Sequence, residues 1–297
     1  MPVYGQSTDI GRRATQQDDY IAADNVLINE PSSCCAIFDG HGVDGAKCSK
    51  QCTQALIPLL RQHYNQQNPT EWLTSVFKDL HQSLLDNTNV DDYMSGTTSS
   101  VMIHVPSKNQ LIVGGVGDSK VVLAKKSNGR FVAEQLTTDH NCLSSSELSR
   151  ILEHGGRVDR VIYGDEASGP LRVFKGTLPY PGLAITRSLG DSTATKIGVL
   201  HTPDVITREL SEPDAFVVLA SDGIWDAFPT VQEVVDLLAP YYTRYQAHKL
   251  DQDDGSASSL SPNAEAQAAS TALTQASLEA LDRLQLDDNV TNIVVFL

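Results

Sequence analysis

AIFDGHGVDGA, residues 36–46, is the stretch on which the reading of the chain turns. Cys34–Phe38 reads as a buried strand. That apolar run stops at a carboxylate, Asp39, and a Gly-His-Gly turn follows. Alone, an Asp-Gly pair is an ordinary turn signal. The theme recurs, however. FVVLASDGIWD (216–226) is another apolar run closed by Asp222-Gly223. Asp118 lies in the Gly-Asp-Ser of QLIVGGVGDSKVVLAKK (110–126), two β-rich runs that read as a hairpin. Asp288 stands just before the last strand-like run, and Asp18, in QQDDY, just before a short one.

Carboxylates at strand ends can gather on one rim of a sheet. Brought together they repel, and loss of water makes this worse. A divalent cation relieves the repulsion; Mg²⁺ and Mn²⁺ favour oxygen ligands. The set lacks His or Cys partners, which argues against zinc.

The bulk composition is compatible with such a site. A length of 297 residues suits one large domain or two small ones. Acidic residues outnumber basic ones 37 to 22, for a net charge of -15, and no Lys/Arg block occurs, so nucleic-acid binding is not expected. Five cysteines are an odd number without disulfide spacing, and they read as buried thiols in a reducing compartment. Cys48 and Cys52 could form half a zinc site, but no second pair completes it. No signal peptide and no apolar stretch near a membrane-spanning length is seen, so a cytoplasmic or nuclear location without a membrane span is expected.

Helical periodicity covers Ala46–Tyr64, then a segment opened by Pro69 and Thr70 with Trp72, Val76, Leu80 and Leu84 on one stripe. Further helices are expected at SSSELSRILEHGG (144–156), Thr230–Tyr241 and about 264–285. Residues 157–182, rich in Gly, Pro and polar side chains, read as a long surface excursion. Residues 251–263 read as a low-complexity, flexible loop. Strands and helices intermix without strict βαβ alternation, so periodicity alone indicates only mixed α and β.

Eight motifs, GRRATQQDDY, FDGHG, SGTTSS, VGDSK, TTDHN, LAITRSLGD, LASDGIWD and DDNVTNIVV, run in this order from near residue 4 to the end. Together they resemble the metal-dependent serine/threonine phosphatases of the type 2C (PPM) family. The resemblance implies an α+β fold, a four-layer α-β-β-α sandwich of two mainly antiparallel sheets flanked by helices. Residues 1–297 would form one catalytic domain, with 157–182 as the family's variable flap. It implies two Mg²⁺ or Mn²⁺ ions about 4 Å apart, which bridge a water and yield a hydroxide nucleophile. Asp39 matches the bridging carboxylate. Asp18, Asp222 and Asp288 match the other carboxylates, and Gly40 a backbone carbonyl ligand. Asp118, with Asp222, matches a third, weaker metal site found in some members. Arg13 matches the residue that grips phosphate through a two-pronged guanidinium, with Arg12 adjacent and the register open by one. His41 matches the general acid that protonates the departing alkoxide. Gln17, Thr97, Thr98 and Asn289 would order the site by hydrogen bonding, and Arg187 and Asp191 would pair as a structural element.

The implied partners are phosphoserine and phosphothreonine proteins, met by a monomer. Three positions depart from the family pattern: Gln17 where Glu is frequent, Val43 where Gly is, and Lys120 where Arg is. None removes a metal carboxylate. The competing readings are a catalytically weak or inactive regulatory binding module and a phosphoesterase for small molecules; the intact acids disfavour the first, and the absence of a GxxxxGK[ST] loop the second.

Overall fold

The computed structural model describes residues 2–163, 166–253 and 263–297. β3 (Ser33–His41) shows why the opening stretch is apolar throughout rather than alternating. Its Cys34, Ala36 and Phe38 point to one side, towards helices, and its Cys35 and Ile37 to the other, towards a second sheet. A strand covered on both faces reads as a continuous apolar run. The ladder does not stop at Asp39: Gly40 pairs with Thr97 and His41 with Gly96 of β4 (Gly96–Thr97). The acid therefore sits inside a strand end rather than in a turn.

Around β3 a seven-stranded sheet forms. β2 (Asp18–Asp24) and β5 (Ser99–Val105) pair with it, and β6 (Gln110–Val116) and β13 (Asp204–Glu209) extend the sheet beyond β5. Beyond β4 lies the short β12 (Leu189–Gly190). The other sheet has the order β1 (Val3–Asp9), β15 (Val290–Phe296), β14 (Asp214–Ala220), β7 (Lys120–Ser127) and β8 (Arg130–Gln135). The ladders of both sheets are antiparallel.

Four layers result. α1 (Gly45–His63) and α2 (Pro69–Asp86) cover the seven-stranded sheet, burying Leu56, Leu60, Trp72, Phe77 and Leu80. Each such side chain contributes about 1.5–3 kcal/mol of transfer free energy. α2 starts where its sequence says it should, with Pro69 in the first turn and the Asn68 side chain accepting from Glu71 N at 3.3 Å. α6 (Val231–Asp253) and α7 (Asn263–Leu284) cover the five-stranded sheet. The sandwich interior is the layer of Ile37, Met102, Val113, Leu123, Val217, Leu219 and Ile293. Among the described residues, no helix is long and apolar enough to cross a membrane.

Several local expectations need correction. The β6–β7 pair is not a hairpin. Both edges of β6 are taken by β5 and β13, so the chain leaves at Gly117-Asp118-Ser119 and β7 joins the opposite sheet. Asp118 thus lies at a crossover between sheets. The excursion at 157–182 is ordered as β9 (Gly156–Tyr163), β10 (Glu166–Lys175) and β11 (Pro181–Leu183). Its Val158, Leu171, Val173 and Leu183 pack on α3 (Ser145–Glu153) and on the segment after α4 (Ser192–Thr195). α6 does not end at Tyr241 but continues past Pro240, because Tyr242 and Tyr245 stack against Phe216 and Phe296. Of the loop expected at 251–263, residues 254–262 lie outside the described residues, and α6 and α7 take its two ends. All five cysteines are free and buried, as read from their spacing.

Candidate active site

Four acids converge from four segments of the chain. β2 and β3 pair in a register that sets Asp18 opposite Asp39. Asp222 opens α5 (Asp222–Trp225), directly after β14, and Asp288 precedes β15. Asp39 lies within hydrogen-bonding reach of both Asp18 and Asp222. Sheets that meet face to face at this end therefore bring together residues 18, 39, 222 and 288 of the chain.

The acids are held with few counter-charges. Asp18 is buried, and Asp39, Asp118, Asp222 and Asp288 are partly so. Among the described residues, no ion pair reaches Asp18, Asp39, Asp118 or Asp222. Asp18 Oδ2 accepts from Ser221 Oγ at 2.8 Å. Loss of water first, and the neighbouring acids second, push Asp222 up to about 7. The same causes, led by desolvation, raise Asp18 and Asp288 to about 6 and Asp39 well above the carboxylate range. Desolvation also raises Asp118 to about 6, against the opposing pull of Lys120.

The donor chemistry suits hard divalent cations, being oxygen throughout. Among the described residues, no three His, Cys, Asp or Glu side chains are gathered to enclose an ion by themselves. Mg²⁺ has no need of such a cage, since it keeps several waters and takes one or two carboxylates. Gly40 is required for another reason too: a Cβ there would overlap the Gly45 carbonyl at the head of α1.

The surrounding hydrogen bonds tie the acid-bearing segments together. Gln17 N donates to Asn289 Oδ1 at 2.8 Å, and Gln17 Nε2 to Gly42 O at 2.7 Å. Asn289 Nδ2 reaches Ile10 O and Thr15 O, closing the loop that carries Arg12 and Arg13. Thr98 Oγ1 accepts from Asp39 N at 3.1 Å, whereas the Thr97 hydroxyl turns to the Thr98 carbonyl.

The register of the arginines is visible. Arg13 lines a cleft of about 510 Å³ with Asp118, Asp222 and Asp288, its Nη2 3.1 Å from Asp288 Oδ1. Arg12 turns away to Asp282 at 3.0 Å. The same cleft is lined by Lys120, by Asp226, to which the sequence reading gave no role, and by Arg160 and Arg172 of the three-stranded β9–β11 sheet. Asp226 stands four residues after Asp222 in DGIWD, a spacing that one helical turn brings to one side.

His41, the last residue of β3, has a side chain a quarter exposed, with Nε2 2.7 Å from Asp191 Oδ2. Burial alone would lower its pKa; Asp191 chiefly, then Asp118 and Asp222, reverse this and raise it. The expected Arg187–Asp191 pair does not form. Arg187 instead holds Glu147 at 2.8 Å and Asp204 at 2.8 Å.

Comparison with known proteins agrees with this architecture. The family model for protein phosphatase 2C matches residues 4–270. A probable protein phosphatase 2C from Arabidopsis thaliana is 34% identical over 241 residues, 76% of this chain and 68% of the relative. One from Oryza sativa subsp. japonica is 29% identical, covering 80% of this chain and 63% of the relative. This chain thus spans about two thirds of the length of those relatives. Among solved structures, serine-threonine phosphatase 2C from Toxoplasma gondii superposes with a TM-score of 0.77 at 18% identity, over 99% of this chain and 95% of that one. Serine/threonine phosphatase Stp1 from Staphylococcus aureus gives 0.63 at 20% identity, over 100% and 95%. The fold and the matched residues define a protein serine/threonine phosphatase. The chain belongs to the protein phosphatase 2C (PPM) family, whose members depend on Mg²⁺ or Mn²⁺.

Proposed function

We propose that this chain hydrolyses phosphoserine and phosphothreonine in proteins, with Asp18, Asp39, Asp222, Asp288 and the Gly40 carbonyl holding two Mg²⁺ or Mn²⁺ ions, and Asp118 with Asp222 a third. One observation carries the reading: Asp39, near the end of β3, and Asp222, which opens α5 just after β14 of the opposite sheet, lie side by side, and among the described residues no ion pair reaches either. Bound there, hard divalent ions supply Lewis acidity that brings the pKa of water to near neutrality.

The chain's own groups do the rest. Arg13, which lines the cleft beside Asp288, binds and orients the phosphate. His41 gives a proton to the departing serine or threonine oxygen, a poor leaving group as an alkoxide. Gln17, Thr98 and Asn289 keep the acid-bearing segments in register. The reading takes residues 1–297 as one catalytic domain acting as a monomer.

Turnover of a phosphothreonine peptide, a nucleotide and p-nitrophenyl phosphate, each with and without Mn²⁺, tests it. Mn²⁺-dependent hydrolysis of the peptide is expected. Absent or metal-independent turnover overturns the reading, and hydrolysis of the nucleotide alone replaces it with small-molecule chemistry.

A further inference from the structure

We propose that Asp191 is a positioning residue for this reaction: its carboxylate holds His41 Nε2, which leaves Nδ1 of the ring for the departing oxygen of the substrate. The inference rests on the phosphatase reading above and deepens it.

Four observations converge on Asp191. Its Oδ2 lies 2.7 Å from His41 Nε2. Ser188 Oγ donates to the same oxygen at 2.6 Å, which fixes the carboxylate's orientation. The side chain is 2% exposed, and its expected cation, Arg187, is engaged elsewhere. Thus the imidazole is the side-chain nitrogen partner that this buried acid meets.

The backbone supports the same conclusion. Asp191 stands at the head of α4 with φ 51° and ψ 49°, the left-handed region that residues with a Cβ rarely occupy. An aspartate at that place ordinarily caps the helix with its side chain, yet here it makes no cap hydrogen bond. The residue gives up a cap and accepts strain, and its carboxylate turns instead towards β3. Room for it is made on the neighbouring strand: a Cβ at Gly96 would overlap Asp191 Oδ2. Ser95, next to Gly96, accepts from Asp191 N at 3.0 Å. A carboxylate behind an imidazole fixes both the ring's orientation and the nitrogen that keeps its proton.

The test uses the whole chain with Mn²⁺ and two substrates. A phosphothreonine peptide needs its leaving oxygen protonated, and p-nitrophenyl phosphate does not. In Asp191→Asn, kcat on the peptide is expected to fall about 100-fold, the scale of a lost general acid, with KM unchanged and the aryl phosphate within about threefold. The same substitution in a His41→Ala background should add nothing. Ser188→Ala, a milder change should Asp191→Asn fail to fold, is expected to show the same peptide-only pattern at about threefold. Equal losses on both substrates, or losses that multiply with His41→Ala, overturn the role. A readout independent of turnover is the ¹⁵N-histidine spectrum. A downfield Nε2–H resonance, assigned by its loss in His41→Ala, should disappear in Asp191→Asn, and its survival there overturns the proposal. Absence of turnover in the unmodified chain is a separate result, which overturns the phosphatase reading itself.

Discussion

Two buried clusters of charge in this molecule are solved in opposite ways. At the base of the small sheet, Glu147 is buried and fully matched: Arg150 and Arg187 approach it at 2.7 and 2.8 Å, and Thr186 Oγ1 donates at 2.7 Å. Burial would raise its pKa, but those partners hold it far below the carboxylate range. At the sandwich end, Asp18, Asp39 and Asp222 have hydroxyls and one another, and their pKa values rise. The protein can place cations beside buried acids, and does so about Glu147. Leaving the second cluster unmatched supports the proposal that cations from solution bind there.

The sharpest way to break this contrast is to remove one acid from each cluster. Asp39→Ala and Asp222→Ala are expected to lower Mn²⁺-dependent turnover by on the order of 10³-fold or more, the scale of losing preorganised charge stabilisation. The metal-free variants should melt no lower than the parent, since a repulsion has been relieved. Turnover near the parent's in either variant contradicts the assignment. Glu147→Gln should do the reverse, leaving two arginines facing a neutral amide. A loss of about 3–5 kcal/mol is expected, read as a fall in Tm on the order of 10 °C.

The pH dependence should separate the clusters as well. Asp18 and Asp288 at about 6 and Asp222 at about 7 bind more protons folded than unfolded. Stability of the metal-free protein from these groups therefore falls as pH rises from about 4 to 7. Glu147, with a lowered value, contributes stability that is present above its unfolded pKa and lost as pH falls into the acid range. Urea denaturation across this range, comparing the parent with Asp222→Asn, checks the first slope; an unchanged slope in the variant refutes it. Mn²⁺ at 100 times its Kd should add about 2.7 kcal/mol and flatten the slope.

The smallest effects belong to the neighbouring arginines. Arg13→Ala should raise KM for a phosphopeptide by about tenfold, the loss of one charge-assisted contact, with little change in Tm, as the side chain is half exposed. Arg12→Ala should leave KM unchanged, because Arg12 faces Asp282. A larger effect at Arg12 than at Arg13 would shift the register of the phosphate contact.

Much of the site was legible before folding. Each acid of the cluster lies at the boundary of an apolar run, and such boundaries are local signals. The α1 and α2 stripes and the Pro69 start were equally plain. Less legible was anything depending on what an element meets. The Gly-Asp-Ser crossover has the composition of a hairpin, and only the occupied edges of β6 send β7 to the other sheet. The flap looked like a loop because its apolar residues are sparse, yet those few find a shared core on α3 and the α4 segment. Asp226 closes a motif but drew no role, Arg160 and Arg172 carried no motif, and their place in the cleft follows from the packing of α5 and the small sheet.

The sequence by itself marked most of the apolar runs and the acids at their ends, because periodicity and turn chemistry act over a few residues, but not the end of α6 or the strands of the small sheet. Only the tertiary structure decided the partners: Asp191 to His41 across 150 positions, Arg187 to Glu147 across 40, Arg13 rather than Arg12 into the cleft. Those choices depend on how two sheets close upon each other, and contacts between residues so far apart leave no regular spacing along the chain.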